Sequence, residues 1–262
     1  MLAYAGPPLA PGDLLASPPH SLLVQSYLPR EMQSGVVNAD GWGAALWLAD
    51  GKPEPAVYRS GAPIWADPNL GWMGERLRAR ALIAAVRSAT PGIGYGRENV
   101  QPFARGPLAF AHNGFIAGFR NGPQRALREP LGRAAYESIE GGSDSETLFA
   151  LVLDALDRGA DGLPAALRTA FAHLGRVCSE QQRSAVATVV ISDGNDLAGA
   201  RWAHGSAPAS LYLAPWPAGA HAATGYCLAS EPLDAGRERW REVPAGRVVL
   251  VRPGLEPREE DL

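Results

Sequence analysis

Ala81-Leu82-Ile83-Ala84-Ala85-Val86-Arg87 is the stretch of sequence that decides the fold. Its six consecutive apolar residues predict a β-strand that is covered on both faces. A strand of this kind needs a packed layer on each side, which predicts a protein built from layers of sheet and helix. Arg87 follows directly, so an arginine is expected at the end of a buried strand.

Other strand-like segments lie on both sides of this one. They end at Gly, Asp or Pro turns and fall at residues 43–48, 108–111, 115–119, 187–191, 210–213 and 247–251. Asn113-Gly114 separates two of these segments and predicts a hairpin with a type I′ turn, because both residues tolerate positive φ.

Two amphipathic helices are predicted in the middle of the chain. The first runs from Ser145 to Asp157, with its leucines and Val152 on one face. The second runs from Leu163 to Leu174, and Gly175 lies just beyond its predicted end.

The order of strands, helices and strands predicts a single α+β domain over residues 1–262. Residues 1–251 are expected to form its core and residues 252–262 a polar tail. The tail is expected to be frayed from Glu256 onward.

The composition is that of a soluble globular protein, with 46% hydrophobic and 19% charged residues. A net charge of −3 gives no reason to expect nucleic acid or an acidic membrane as partner. No apolar run approaches the ~20 residues of a membrane span, and no signal peptide is evident. Cys178 and Cys227 do not suggest a disulfide framework, so they are expected to be core thiols in a cytoplasmic protein.

Three polar residues could bind the carboxylate and the ammonium group of an amino acid. Arg87 suits bidentate capture of a carboxylate, and Thr90 can add a hydroxyl to it, although a surface arginine at a strand end is common. Ser143 and Glu146 form a predicted capping box. Asp144 between them either gains from the helix dipole alone or meets an ammonium group of a ligand.

Asn113 and Gly114 have a second interpretation besides a turn, since their amide and backbone donors could stabilise an oxyanion. Gly41 and the glycine after Trp42 would let the backbone approach a ligand closely, or they belong to a plain loop. Arg87 for an α-carboxylate, Asp144 for an α-ammonium group and the Asn113-Gly114 pair for an amide oxyanion together describe a site for glutamine or a γ-glutamyl compound.

No metal or cofactor is expected. The five histidines are without metal-ligand spacing, at His20, His112, His173, His204 and His221. The segment Gly92-Ile93-Gly94-Tyr95-Gly96 does not have the spacing of a dinucleotide-binding motif, and it is expected to be a mobile loop that could cover a substrate.

Four motifs in this order resemble those of class II glutamine amidotransferases in the N-terminal-nucleophile hydrolase superfamily. They are Asn38-Ala39-Asp40-Gly41-Trp42-Gly43, Arg87-Ser88-Ala89-Thr90, His112-Asn113-Gly114 and Ser143-Asp144-Ser145-Glu146. Four further stretches are similar to the γ-glutamyl-hercynylcysteine sulfoxide hydrolases of ergothioneine biosynthesis. They are 18–22, 25–27, Pro29-Arg30 and Ala229-Ser230-Glu231-Pro232.

The resemblance implies a four-layer αββα sandwich and a γ-glutamyl amide hydrolase whose nucleophile is an N-terminal cysteine. It implies that Asn113 and Gly114 hold the oxyanion, that Arg87 and Thr90 bind the α-carboxylate, and that Asp144 binds the α-ammonium group. The remaining substrate-binding residues that it implies are Gly41, Trp42 and His112.

The start of the chain departs from the family pattern Met-Cys-Arg-x-Leu-Ala-Tyr/Trp. Leu2-Ala3-Tyr4 matches its last three positions and Met1 falls on the variable one. A start assigned at an internal methionine is expected, and the alternative is a homologue that has lost its nucleophile.

Three functional classes stay open: a free-standing γ-glutamyl hydrolase, a glutaminase subunit that supplies ammonia to a partner synthase, and a catalytically inactive glutamyl-binding protein. The substrate of the first class carries a trimethylammonium group, for which Tyr27, Trp42, Trp65 and Trp72 are candidate partners. The oligomeric state is left open.

Overall fold

The computed structural model describes residues 1–32, 37–88, 96–217 and 225–262. Its strands are β1 (Leu2–Leu9), β2 (Trp42–Leu48), β3 (Ala56–Ser60), β4 (Ala79–Val86), β5 (Phe103–Arg105), β6 (Leu108–Ile116), β7 (Ala185–Ser192), β8 (Leu197–His204), β9 (Tyr212–Trp216), β10 (Gly225–Ala229), β11 (Arg241–Glu242), β12 (Arg247–Val251) and β13 (Arg258–Asp261).

The α-helices are α1 (Gly12–Leu15), α2 (Leu22–Tyr27), α3 (Asn69–Arg76), α4 (Pro123–Arg128), α5 (Arg133–Glu137), α6 (Asp144–Asp157) and α7 (Gly162–Glu180). Short 3₁₀ helices lie at Ile64–Ala66, Arg97–Asn99 and Arg237–Arg239. None of the helices in the described ranges is both long enough and apolar enough to cross a membrane.

The strands form two antiparallel sheets. The first has the order β11-β9-β10-β1-β4-β2-β3, and the second has the order β13-β12-β8-β7-β6-β5. The strand predicted at 81–86 is confirmed as β4, which lies inside the first sheet between β1 and β2. β1 itself was not predicted, because Gly6, Pro7 and Pro8 interrupt its apolar pattern.

Three apolar cores separate four layers. One lies between α6–α7 and the second sheet, one between α1–α3 and the first sheet, and one between the two sheets. β4 shows why its whole sequence is apolar. Leu82 and Ala84 face the helices, whereas Ala81, Ile83 and Ala85 face the second sheet. The expected four-layer αββα sandwich is confirmed.

The predicted hairpin at Asn113-Gly114 is wrong. Both residues lie inside β6, where they pair with Thr188 and Ala187 of β7. An uninterrupted partner strand satisfies the backbone on that side, so no reversal is needed at this point. The chain turns instead after Ile116, where Gly118 takes a φ of +62°.

The second helix is longer than predicted. Gly175 does not end it, because α7 continues to Glu180. A Cβ atom on Gly175 would lie 3.3 Å from Cζ2 of Trp202 in β8. The glycine therefore serves close packing of helix on sheet, and packing outweighs its poor helix propensity.

The tail is not frayed as predicted. β13 pairs with β12 from Arg258 to Asp261 and extends the second sheet by one strand. Its carboxylates meet arginines, with Glu260 at 2.7 Å from Arg168 and Asp261 at 3.1 Å from Arg247. A segment that is polar in sequence is thus ordered by backbone pairing at a sheet edge.

Candidate active site

A cavity of about 880 Å³ opens between the two sheets and the start of α6. Its lining brings together five of the eight predicted site residues, together with the first residue of the chain. These are Met1, Arg87, His112, Asn113, Gly114 and Asp144. The residues come from four separate stretches of sequence, so the fold assembles the set.

The start of β1 is fixed at the cavity wall. The α-amino group of Met1 donates to Oγ of Ser230 at 3.1 Å, and the backbone N–H of Ser230 donates to the Met1 carbonyl at 2.9 Å. Burial lowers the pKa of the amine from 8.0 to about 6, an effect that the nearby Glu231 carboxylate partly opposes. The amine is therefore mostly neutral at pH 7.

This buried amine should make stability depend on pH. The unfolded chain binds more protons than the folded chain between pH 6 and pH 8, because only the folded amine has a lowered pKa. We expect the free energy of unfolding to rise by about 2 kcal/mol across that window. Urea unfolding at the two pH values measures it.

Acetylation of Met1 is the control for this prediction, since it removes the titrating group. The acetylated chain should lose most of the rise. An equal rise in both forms would show that other groups, such as His112, cause it.

His112 ties three elements together below the cavity. Its Nε2 donates to the Val186 carbonyl of β7 at 3.2 Å, and its Nδ1 lies 2.9 Å from the Ser145 hydroxyl at the start of α6. Burial lowers the pKa of His112, against an opposing effect of Asp144. In the neutral ring with a proton on Nε2, Nδ1 accepts a hydrogen bond from the Ser145 hydroxyl. Both ring nitrogens thus contact protein groups rather than the open cavity.

Gln101 holds the backbone of the same residue and was not predicted. Its Oε1 accepts the His112 N–H at 2.6 Å, and its Nε2 donates to the His112 carbonyl at 3.0 Å. The side chain therefore takes the place of a paired strand beside β6. No local pattern marks such a residue, because its partner is a main chain that lies elsewhere in the sequence.

Asn113 and Gly114 follow on the same strand, and both are exposed in the cavity. A Cβ on Gly114 would lie 1.9 Å from the Val186 carbonyl oxygen and 2.7 Å from Nε2 of His112. Only glycine lets β6 lie this close to β7 here. The adjacent Asn113 amide can offer N–H donors to a developing oxyanion.

Asp144 is oriented by two backbone donors. Its Oδ2 accepts the Ile116 N–H at 2.9 Å, and its Oδ1 accepts the Ser145 N–H at 2.8 Å. Ser143 caps α6 by accepting the Glu146 N–H at 3.1 Å. The carboxylate of Asp144 lines the cavity in a fixed orientation and can meet an ammonium group.

The capping box is only half present. The Glu146 carboxylate does not return to Ser143 but accepts the N–H groups of Glu140 and Gly141 at 2.6 and 2.7 Å. Burial raises the pKa of this carboxyl group, against those two hydrogen bonds. Glu146 thereby fastens the loop before α6 onto the helix.

Gly41 and Trp42 are absent from the described cavity lining. Gly41 affects the site indirectly, by holding the backbone of Arg87. Its carbonyl accepts the Arg87 N–H at 2.9 Å, and the backbone N–H of Asp40 donates to the Arg87 carbonyl at 3.0 Å. The side chain of Trp42 is fully buried toward the helices and donates to Asp67 at 2.8 Å. The expectation that Trp42 contacts substrate is thus corrected, because its ring belongs to the core.

The aromatic residues expected near a trimethylammonium group lie elsewhere too. Tyr27 and Trp65 meet edge to face at 6.0 Å between ring centroids, and Trp72 is 62% exposed. None of the three is among the described residues that line the cavity.

Several other predictions fall outside the described residues or outside the cavity. Thr90, His221 and residues 92–95 of the expected loop lie outside the described ranges. Cys178 and Cys227 are buried thiols in apolar cores, as expected, and burial raises the pKa of each. In the part of the chain that the structure describes, no group of three or more His, Cys, Asp or Glu residues is placed to hold a metal ion.

Comparison with known proteins agrees with this geometry. The family model for class II glutamine amidotransferases matches residues 20–214. The gamma-glutamyl-hercynylcysteine sulfoxide hydrolase of Mycolicibacterium smegmatis is 33% identical over 251 residues, which cover 96% of this chain and 94% of that protein. The protein of the same name from Mycobacterium tuberculosis is 38% identical over 155 residues, which cover 59% and 62% of the two chains.

A solved structure shares the fold. The glutamine aminotransferase class-II domain protein from Silicibacter pomeroyi superposes with a TM-score of 0.71, over 100% of this chain and 98% of that one, at 24% identity. The family model and the full-length relative settle the assignment. This chain belongs to the class II glutamine amidotransferases and is an enzyme of the amide-hydrolase type.

Proposed function

We propose that this protein removes the γ-glutamyl group from γ-glutamyl-hercynylcysteine sulfoxide, releasing glutamate in ergothioneine biosynthesis. The observation that carries the proposal is the convergence of Arg87, Asn113 and Asp144 in one cavity at the start of β1. The names of the relatives support this choice of substrate. A cytoplasmic location belongs to the same proposal.

Each of the three side chains is proposed to bind a different part of the glutamyl group. The Arg87 guanidinium binds the α-carboxylate, and Asp144 binds the α-ammonium group. Asn113, with Gly114, stabilises the oxyanion that forms when the γ-carbonyl is attacked. Thr90 is proposed to assist Arg87.

The nucleophile is proposed to be a cysteine two residues ahead of Met1. Two further residues span at most about 7 Å. Met1 lines the cavity, so a thiol within this reach is proposed to enter it. The α-amino group of the cysteine takes the thiol proton through a water molecule.

The reaction then has two steps. The thiolate attacks the γ-carbonyl carbon, the C–N bond breaks, and the amine leaves with a proton while a glutamyl thioester forms. Water attacks the thioester, the C–S bond breaks, glutamate is released and the thiol is regenerated.

The size of the cavity favours a substituted amide over glutamine. A volume of about 880 Å³ lies near the upper end of pockets that hold drug-sized ligands. A glutamyl group alone would leave much of it to water. A large amine portion on the far side of the scissile bond would fill it.

Substrate preference tests the proposal. We expect the chain extended by Met-Cys-Arg to cleave γ-glutamyl-hercynylcysteine sulfoxide with a kcat/KM at least about tenfold above that for glutamine, because only the larger substrate uses the whole cavity. Glutamate release is measured with both compounds.

Two outcomes would contradict this assignment. Preference for glutamine would indicate a glutaminase subunit that supplies ammonia to a partner. Native protein whose N-terminal mass shows no cysteine, together with binding of γ-glutamyl compounds, would indicate a glutamyl-binding homologue without catalysis.

A further inference from the structure

The first sheet sets the direction in which a substrate lies. Ala84 of β4, Leu2 of β1, Ala229 of β10 and Tyr212 of β9 are paired in a single row across the sheet. Neighbouring strands are about 4.8 Å apart, so β9 lies roughly 10 Å from β1. It lies on the side of β1 opposite to β4.

This row indicates how the substrate lies in the cavity. The inference rests on the proposed function. Arg87 directly follows β4, so the α-carboxylate of the glutamyl group lies on the β4 side. The scissile amide lies at the start of β1. The amine portion of the substrate must therefore extend toward β10 and β9.

Glu31 lies at that end of the cavity. The Tyr212 hydroxyl lies 2.9 Å from each carboxylate oxygen of Glu31, and Glu31 lines the cavity. The position is firmly held, because the Glu31 N–H donates to Oε1 of Glu231 at 3.2 Å. Glu231 is itself buried and fixed by His20 at 2.7 Å and by the Arg30 N–H at 2.9 Å.

The charged residues that line the cavity indicate a role for the Glu31 carboxylate. Among the described residues that line the cavity, Arg87 is the only arginine or lysine. The acidic residues in the same lining are Glu31, Asp144 and Glu231. Asp144 and Glu231 each accept two backbone N–H groups. Since Arg87 and Asp144 serve the two charges of the glutamyl group, the Glu31 carboxylate is placed to meet a positively charged group at the other end of the substrate.

We propose that Glu31, oriented by Tyr212, is a specificity-determining residue that accepts a positively charged group on the amine portion of the substrate. The enzyme thereby distinguishes γ-glutamyl amides of cationic amines from those of neutral amines of the same shape. Side chains of opposite charge recognise the two ends of the substrate, Arg87 at the glutamyl end and Glu31 at the amine end.

Two isosteric probes test this subsite by calorimetry on the 262-residue chain. One is the γ-glutamyl amide of 2-aminoethyl-trimethylammonium, and the other is γ-glutamyl-3,3-dimethylbutylamide, in which a neutral carbon replaces the charged nitrogen. We expect the cationic probe to bind about tenfold more tightly than the neutral one. Glu31→Gln should bring the ratio near one while leaving the affinity for the neutral probe unchanged.

Two further variants sharpen the comparison. Glu75→Gln removes the same charge from an exposed position on α3 and should keep the tenfold ratio. Tyr212→Phe keeps the carboxylate but removes its hydroxyl donor, so the ratio should fall to an intermediate value.

The outcomes separate the subsite from the function on which it rests. Equal affinity of the two probes for the unmodified chain, or an unchanged ratio in Glu31→Gln, would overturn the role of Glu31 alone. Failure of both probes to bind would overturn the proposed γ-glutamyl function, and the subsite with it.

Discussion

Adding Cys-Arg ahead of Met1 is expected to raise glutamate release from γ-glutamyl amides by about 10⁴-fold or more over the 262-residue chain. The physical reason is that the cavity brings together Arg87, Asp144 and Asn113, which are proposed to hold the glutamyl group, but the proposed catalysis through a thioester needs a thiol beside them. Cys178 and Cys227 cannot supply it, because both are buried in apolar cores and neither lines the cavity.

The measurement is the initial rate of glutamate release by the extended and unextended chains at equal concentration. The matched control carries Ala-Arg instead of Cys-Arg, which adds the same length without a thiol and should stay at the background rate. Activity of the unextended chain, or of the alanine form, would refute the assignment of the nucleophile.

Asn113→Ala in the extended chain is expected to lower kcat by about 10²- to 10³-fold with little change in KM. The Asn113 side chain is exposed in the cavity on a strand that His112, Gln101 and Val186 hold rigidly. Such a preorganised donor acts on charge that develops only in the transition state, so its loss should appear in kcat. Steady-state kinetics on the preferred substrate measure both constants.

Asn195→Ala is the matched control, because this exposed asparagine lies in the turn between β7 and β8 and does not line the cavity. It should leave both constants near their original values. A raised KM with unchanged kcat in Asn113→Ala would instead show that the amide binds the ground state, and the oxyanion role would be wrong.

The fold could be predicted where a local pattern and the tertiary environment agree. The apolar run 81–86 is the strand β4 because both of its faces are buried, and Arg247–Val251 forms β12 with the predicted bounds. The predicted hairpin failed for the opposite reason. Asn113 and Gly114 tolerate a turn, but pairing with β7 keeps them extended, and that partner lies more than seventy residues away in the sequence.

The site divides in the same way. Arg87, Asn113 and Asp144 each stand in a short motif whose chemistry can be interpreted from the sequence, and the fold brings them into one cavity. Gln101 and Glu31 could not be predicted, since one supports a main chain and the other depends on Tyr212 of a distant strand. Trp42 was misassigned because a tryptophan between glycines has the same sequence pattern in a core as beside a ligand.

The central position of β1 has a consequence for how the N-terminus can be handled. β1 is the fourth of the seven strands in its sheet, and its first residue is bound to Ser230 beside the cavity. Because Met1 lines the cavity, residues added ahead of it are expected to enter space that a substrate would occupy. The cavity therefore limits the length of any N-terminal extension that is compatible with turnover, and an affinity tag left at that end should act as a tethered inhibitor.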